Sequence, residues 1–161
     1  MIIKNRSSLV KLEPTSPRRA ALDLFEEGID AVLPEKVIRG HLRLESNRLR
    51  SGDKVFDLTD IDRLILVGGG KASFGMAGAV EEAIGSLIDT GLIVTKYGRK
   101  QGNLEKTEVL EASHPVPDRA GLEATENLLD LAGSAEEGDL VIVLISGGGS
   151  ALLTLPLDGV G

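Results

Sequence analysis

Lysine, histidine and serine side chains set among glycines are the groups in this chain best suited to hold an anion. Lys71 ends the run Leu64-Ile65-Leu66-Val67-Gly68-Gly69-Gly70-Lys71, which continues into Ala72-Ser73. The same grammar returns later as Leu140-Val141-Ile142-Val143-Leu144-Ile145 followed by Ser146-Gly147-Gly148-Gly149-Ser150-Ala151. In each case the apolar run reads as a strand, the glycines as a tight loop and the next residues as a helix start. Glycine N–H groups can close on an anion, and a helix N-terminus adds about half a positive charge. The plainer alternative is that the glycines only make tight turns under close-packed helices.

Lys71 carries the one full charge at these two junctions. In the first turn of a helix it opposes the macrodipole, so helix stability gives no reason for it, whereas a phosphate or carboxylate clamp does. A solvent-facing lysine tolerated at low cost is the alternative. His114, in Ser113-His114-Pro115-Val116-Pro117-Asp118, sits in a loop held by two prolines. It could donate to an anion or exchange a proton, and a loop-packing role stays equally open. Ser146 and Ser150 bracket the second glycine run and could bond a substrate oxygen or cap the following helix. His41 reads as a surface residue.

Sharper motifs fail. A Walker A loop needs glycine where Ile65 stands and Ser or Thr where Ala72 stands. The dinucleotide fingerprint has Gly68-x-Gly70 but Ser73 in place of its third glycine, and Asp89 precedes the next strand instead of ending it. A nicotinamide site is thereby weakened but not removed. The nucleophile elbow fails at Leu152, where glycine is required. Glu81-Glu82, Glu105, Glu136-Glu137 and Asp139 form no paired-carboxylate constellation and read as solvated charges, and no His/Asp/Glu spacing argues for a protein-built metal site.

Composition narrows the classes. The 161 residues suffice for one domain with a sizeable core. With three Phe, one Tyr and no Trp, the core must be aliphatic and a base-stacking surface is not expected. A formal net charge of −7 argues against a phosphate-backbone binder, so no nucleic-acid partner is expected, while a small anion needs only local positive charge. No cysteine means no disulfide, thiolate metal site or cysteine nucleophile; that agrees with the cytoplasm, where the reading places the protein. No segment approaches the ~20 apolar residues that span a bilayer, so no membrane partner is expected.

The positioning elements follow from periodicity. Ser16-Pro17 opens a helix whose apolar residues Ala21, Leu22, Leu24, Phe25, Ile29, Val32 and Leu33 recur at helical spacing; Pro34 ends it or restarts it over Glu35–Gly40. Leu42, Leu44, Val55 and Phe56 around the turn Ser51-Gly52-Asp53 suggest a small hairpin. From there the chain reads strand 63–67, helix 71–88, strand 91–95, exposed loop 97–106, strand 107–111, a helix 119–132 capped by Asp118, and strand 140–145. Leu122, Leu128, Leu129 and Leu131 form the inner face of the last helix. Alternating strands and helices imply βαβ units and a mostly parallel sheet, with 64–67 and 140–145 as central strands covered on both faces. The fold expected is a three-layer α/β/α, Rossmann-like arrangement, and a sheet ending so soon after its last glycine loop looks truncated.

Gly69-Gly70-Lys71-Ala72-Ser73 with Met76-Ala77, then His114-Pro115-Val116-Pro117-Asp118, then Ile145-Ser146-Gly147-Gly148-Gly149-Ser150-Ala151-Leu152, resemble the N-terminal region of the class II glycerate kinases. This family, often called MOFRL after its C-terminal domain, also carries the name hydroxypyruvate reductase. The resemblance implies a two-domain enzyme that phosphorylates D-glycerate with ATP and Mg²⁺ to 2-phosphoglycerate, Mg²⁺ arriving with the nucleotide, in a cleft between the domains. It implies that Lys71 is catalytic or phosphate-binding. Gly68, Gly69, Gly70, Ser73, His114 and the loop Ser146, Gly147, Gly148, Gly149 and Ser150 would line the substrate and phosphate cleft. Residues 1–161 then form the first part of the kinase domain, with leading helices and a hairpin over 1–60, βα units over 61–161, and no C-terminal domain. Such a fragment is expected to be inactive alone. A hydroxypyruvate reductase using NAD(P)H and a non-catalytic ligand-binding or structural fragment are the alternatives; association with further copies of the chain is left open.

Overall fold

Strand β4 (Leu64–Gly69) occupies the middle of the protein because its sequence is apolar on both sides. The computed structural model describes residues 2–11, 17–157 and 159; the expected Ser16 cap lies outside them. β4 is flanked by β5 (Thr90–Lys96) and β7 (Leu140–Ile145), and β6 (Thr107–Ala112) pairs with β5, giving the order β6-β5-β4-β7 with every pairing parallel. Side chains alternate across this sheet. Leu64, Leu66 and Ile93 enter one core with Ala77, Val80 and Ile84 of helix α4 (Ser73–Ile84). Ile65, Val67, Leu92 and Val94 enter the other with Ala124 and Leu128 of helix α5 (Arg119–Gly133). Helices on both faces of a parallel sheet make the three-layer α/β/α arrangement that the periodicity predicts.

Ahead of this unit lie helices α1 (Arg6–Lys11), α2 (Pro17–Ala31) and α3 (Pro34–His41). Pro34 does restart the chain as a second helix. The apolar residues of α2 recur at helical spacing but none is buried, and Leu24 and Phe25 are largely exposed. Strands β1 (Leu42–Glu45), β2 (Arg48–Ser51) and β3 (Lys54–Asp57) form an antiparallel meander where a two-stranded hairpin is expected. The additional strand, Arg48-Leu49-Arg50-Ser51, has one apolar residue, too few to register as an alternation; that residue, Leu49, is buried in the α4-side core with Leu42.

Three expectations are corrected. β7 is an edge strand in this sheet, not a central one, and Val143 and Ile145 are 59% and 60% exposed. An unbroken apolar run records that both faces can be covered, not the order in which strands assemble. Leu129 points outward from α5, whose buried face is Gly121, Ala124, Thr125 and Leu128. Asp139 and Glu81 are not free solvated charges. The buried Asp139 carboxylate receives Arg63 Nη2 at 2.6 Å and the Glu136 N–H at 2.9 Å, and Arg63 holds it below the usual carboxylate range. Glu81 accepts the N–H groups of Glu105 and Lys106 at 2.8 and 3.0 Å. Among the described residues no helix is long and apolar enough to cross a membrane.

Candidate functional site

Because β4 and β7 are neighbours with Gly69 opposite Ile145, the two glycine loops leave the sheet side by side at its carboxyl edge. They are tied together. Ser146 N–H donates to Gly69 O at 3.1 Å, Lys71 N–H to Gly147 O at 3.0 Å, and Ala72 N–H to Ser146 Oγ at 3.0 Å. Gly70 has φ +132°, and a Cβ there would collide with Ser146 Oγ. A Cβ on Gly69 would lie 2.6 Å from Leu153, and one on Gly68 would run into Leu144. All three glycines of the first loop therefore make room for other chain, Gly68 for β7, Gly70 for the second loop and Gly69 for Leu153 at the end of α6, not for open cleft.

Ser73 belongs to the same support. It is fully buried, and its hydroxyl sits 2.8 Å from Gly70 O and 3.0 Å from Val94 O, while Thr95 Oγ1 donates to Gly70 O at 3.2 Å. The two buried hydroxyls hold the turn from behind. Lys71 stands on the exposed side of that turn, before helix α4 begins at Ser73.

The second loop is more open. Among the described residues the amides of Gly147 and Gly148 donate to no protein acceptor. A Cβ on Gly147 would meet nothing within 4 Å. Gly148 has φ +94°, and a Cβ there would lie 3.0 Å from His114 Cδ2 and Nε2 and 3.1 Å from Lys71 Cγ. Lys71, His114 and Gly148 thus meet at one point. Gly149 begins the short helix α6 (Gly149–Leu152), with Ser150 exposed on it.

His114 is held by the far end of its own loop. Asp118 caps α5 by accepting Gly121 N–H at 2.9 Å, and it also accepts Ser113 N–H at 3.3 Å and Tyr97 Oη–H at 2.8 Å. The Gly121 N–H and then the Tyr97 hydroxyl keep its carboxyl below the usual range. The same residue that starts the helix therefore closes the loop over His114.

Beside Lys71 is a cavity of about 230 Å³, lined by Glu35, Lys71, Ala72, Phe74, Arg99 and Gln101 among others. Glu35, Arg99 and Gln101 are not among the residues singled out from the sequence. A signal was available, since Arg99-Lys100-Gln101 follows the carboxyl end of a parallel strand, where α/β folds take ligands.

Fold and site together define a three-layer α/β protein whose loops gather a lysine, a histidine and free amides at the carboxyl edge of a parallel sheet. The chain belongs to the DUF4147 family, described as a domain of unknown function, which it matches over residues 20–161. It is 36% identical over 148 residues to the D-glycerate 2-kinase of Thermotoga maritima, covering 92% of this chain and 32% of that protein. An Agrobacterium vitis protein named as a hydroxypyruvate reductase is 45% identical over 94 residues, covering 58% of this chain and 21% of that one. The crystal structure of a Pyrococcus horikoshii protein superposes with a TM-score of 0.80 at 32% identity, over 91% of this chain and 33% of that one. The kinship read from the three sequence motifs is borne out. This chain spans about a third of the length of the relatives it matches over most of its own length.

Proposed function

We propose that this chain supplies the phosphate-handling wall of a glycerate kinase, which transfers a phosphoryl group from ATP to D-glycerate to give 2-phosphoglycerate. The observation that carries the reading is the meeting of Lys71, His114 and Gly148, one residue from each of the three separated motifs, beside two amides without protein acceptors. Phosphoryl transfer asks for positioning and charge neutralisation more than for covalent chemistry. Lys71 would neutralise charge on the transferring group, and the Gly147 and Gly148 amides would receive its oxygens. His114 would donate a further hydrogen bond. Mg²⁺ would arrive as part of the nucleotide substrate, as the family resemblance implies.

The Agrobacterium name keeps a reductase reading in view. Against it, a dinucleotide loop uses its second glycine for close approach of the pyrophosphate, and at Gly70 that space is taken by Ser146. Two assays of the whole protein carrying this chain separate the readings: D-glycerate with ATP, and hydroxypyruvate with NADH or NADPH. Activity only in the second overturns the kinase reading. Within the first assay, Lys71→Met should lower kcat on the order of 10²–10³-fold, the effect of removing one pre-organised electrostatic donor, with Tm nearly unchanged because the side chain is exposed. A kcat within a few-fold of wild type would remove Lys71 from the chemistry.

A further inference from the structure

The cavity beside Lys71 is lined by residues of α3, of the start of α4 and of the turn after β5, and by none of the Gly147–Gly149 run. Two cations, Lys71 and Arg99, and one carboxylate, Glu35, line it together with the Gln101 amide. Among the described residues none of these four side chains has a hydrogen-bond or ion-pair partner within the protein, whereas Arg6, Arg39, Arg63 and Arg119 are all paired with carboxylates. Arg99 is nevertheless well placed. Its own N–H and that of Lys100 both donate to Glu111 Oε1, at 3.1 and 3.2 Å, and its N–H also reaches Lys96 O at 3.0 Å. The turn bearing the guanidinium is thereby fixed to the end of β6. Glu35, from the first turn of α3, lies against Gly75, where any Cβ would run into its Oε1.

We propose that this cavity is the acceptor subsite, taking the carboxylate of a small hydroxy acid between Arg99 and Lys71 and a hydroxyl of the same molecule against Glu35. A guanidinium presents a planar fork of N–H groups that matches a carboxylate with two parallel hydrogen bonds. The pairing of two cations with one carboxylate fits a monoanion that also carries a hydroxyl donor; a dianionic phosphate would meet Glu35 as a like charge. At about 230 Å³ the space is below the roughly 300–1,000 Å³ of pockets for drug-sized ligands, which suits a three-carbon acid. The nucleotide phosphates then approach Lys71 from the Gly147–Gly148 side. The assignment rests on the kinase reading for its acceptor and goes beyond it by naming Arg99 as a specificity-determining residue and Glu111 as its positioning residue.

The test uses the whole protein carrying this chain, with Arg99→Ala, Arg99→Lys and Glu111→Gln. Expected for Arg99→Ala are a KM for D-glycerate raised at least tenfold, a KM for ATP within about twofold of wild type, and an unchanged Tm. Arg99→Lys should recover part of the loss, and Glu111→Gln should raise the glycerate KM by a smaller factor. The preference for D-glycerate over glycerol, which lacks the carboxylate, should fall by the same factor in Arg99→Ala. A raised KM for ATP with that for glycerate unchanged assigns Arg99 to the nucleotide and overturns the proposal, as does no change in either. If the wild type does not phosphorylate D-glycerate, the kinase reading fails on its own. The subsite is then judged by calorimetric titration with D-glycerate: binding weakened at least tenfold by Arg99→Ala supports it, and unchanged or undetectable binding overturns it.

Discussion

Gly148→Ala, set beside Gly147→Ala, tests whether the three motifs meet where the geometry brings them. Gly147 has open space where a Cβ would go, and its φ lies outside the left-handed region. Alanine there should leave stability within about 0.5 kcal/mol of wild type, as for most surface changes. Gly148 at φ +94° is different. A left-handed L-residue costs roughly 1–2 kcal/mol. At about 2–4 °C per kcal/mol for a domain of this size, Tm should fall by about 2–8 °C. The new methyl would also stand 3.0 Å from the His114 ring and 3.1 Å from Lys71 Cγ. Carbon contacts settle near 3.5–4.0 Å, so both side chains must retreat by roughly half an ångström. Since a misplacement of 1 Å can cost about a hundredfold in rate, kcat for glycerate phosphorylation should fall about tenfold. Thermal unfolding followed by circular dichroism and steady-state kinetics on both variants check the two parts separately. If Gly148→Ala melts with Gly147→Ala and keeps the same kcat, Lys71 and His114 do not converge on Gly148.

Two further outcomes follow, one from a hydroxyl behind the site and one from an ion pair at the opposite, amino edge of the sheet. Ser73→Ala should lower stability by about 1 kcal/mol, the usual net worth of a buried hydrogen bond, yet leave kcat within a few-fold, because its hydroxyl is turned to the Gly70 and Val94 carbonyls; a large loss of kcat at unchanged Tm would instead put the hydroxyl on a ligand. Asp139 has a folded pKa depressed chiefly by Arg63, so its contribution is present above the unfolded value near 4 and is lost as pH falls through the lower folded value. Asp139→Asn should therefore melt below wild type at pH 7 and converge on it toward pH 3; parallel melting curves across that range would remove the ion pair from the account.

The sheet was largely legible because β4 and β5 carry apolar runs bounded by glycine and polar turns, because β6 holds Val109 and Leu110 between polar residues, and because Asp118 announces α5. What could not be read was adjacency. β4 and β7 have the same apolar signature, yet only β4 is covered on both sides, since strand order depends on how helices pack back onto the sheet and leaves no mark in a single run. That order also decides what the glycines are for. Once β7 lies beside β4, Gly68, Gly69 and Gly70 are consumed in seating β7, the end of α6 and the second loop, and the open amides belong to Gly147 and Gly148. Lys71 and His114 stood out from the sequence because charge and ring chemistry are intrinsic to the residue. Arg99 did not, because a polar loop has no periodicity to single out one of its cations; its distinction comes from Glu111, a strand away.

The ties between the two glycine loops also set which parts of the site can move. With the Lys71, Ala72 and Ser146 amides each bonded across to the other loop, neither loop swings without tearing the other, so Lys71 acts as a stationary post. The 97–106 segment is anchored differently, near one end by Glu111 and near the other by Glu81. Between those anchors, among the described residues, the backbone of residues 101–104 makes no hydrogen bond within the protein, and Gly102 sits at φ +99° with open space around it. Loop motions of this kind run on nanoseconds to microseconds. The cavity beside Lys71 thus has one wall that holds still and one whose tip can breathe, and a ligand's entry would be timed by the polar loop while its alignment is fixed by the glycine pair.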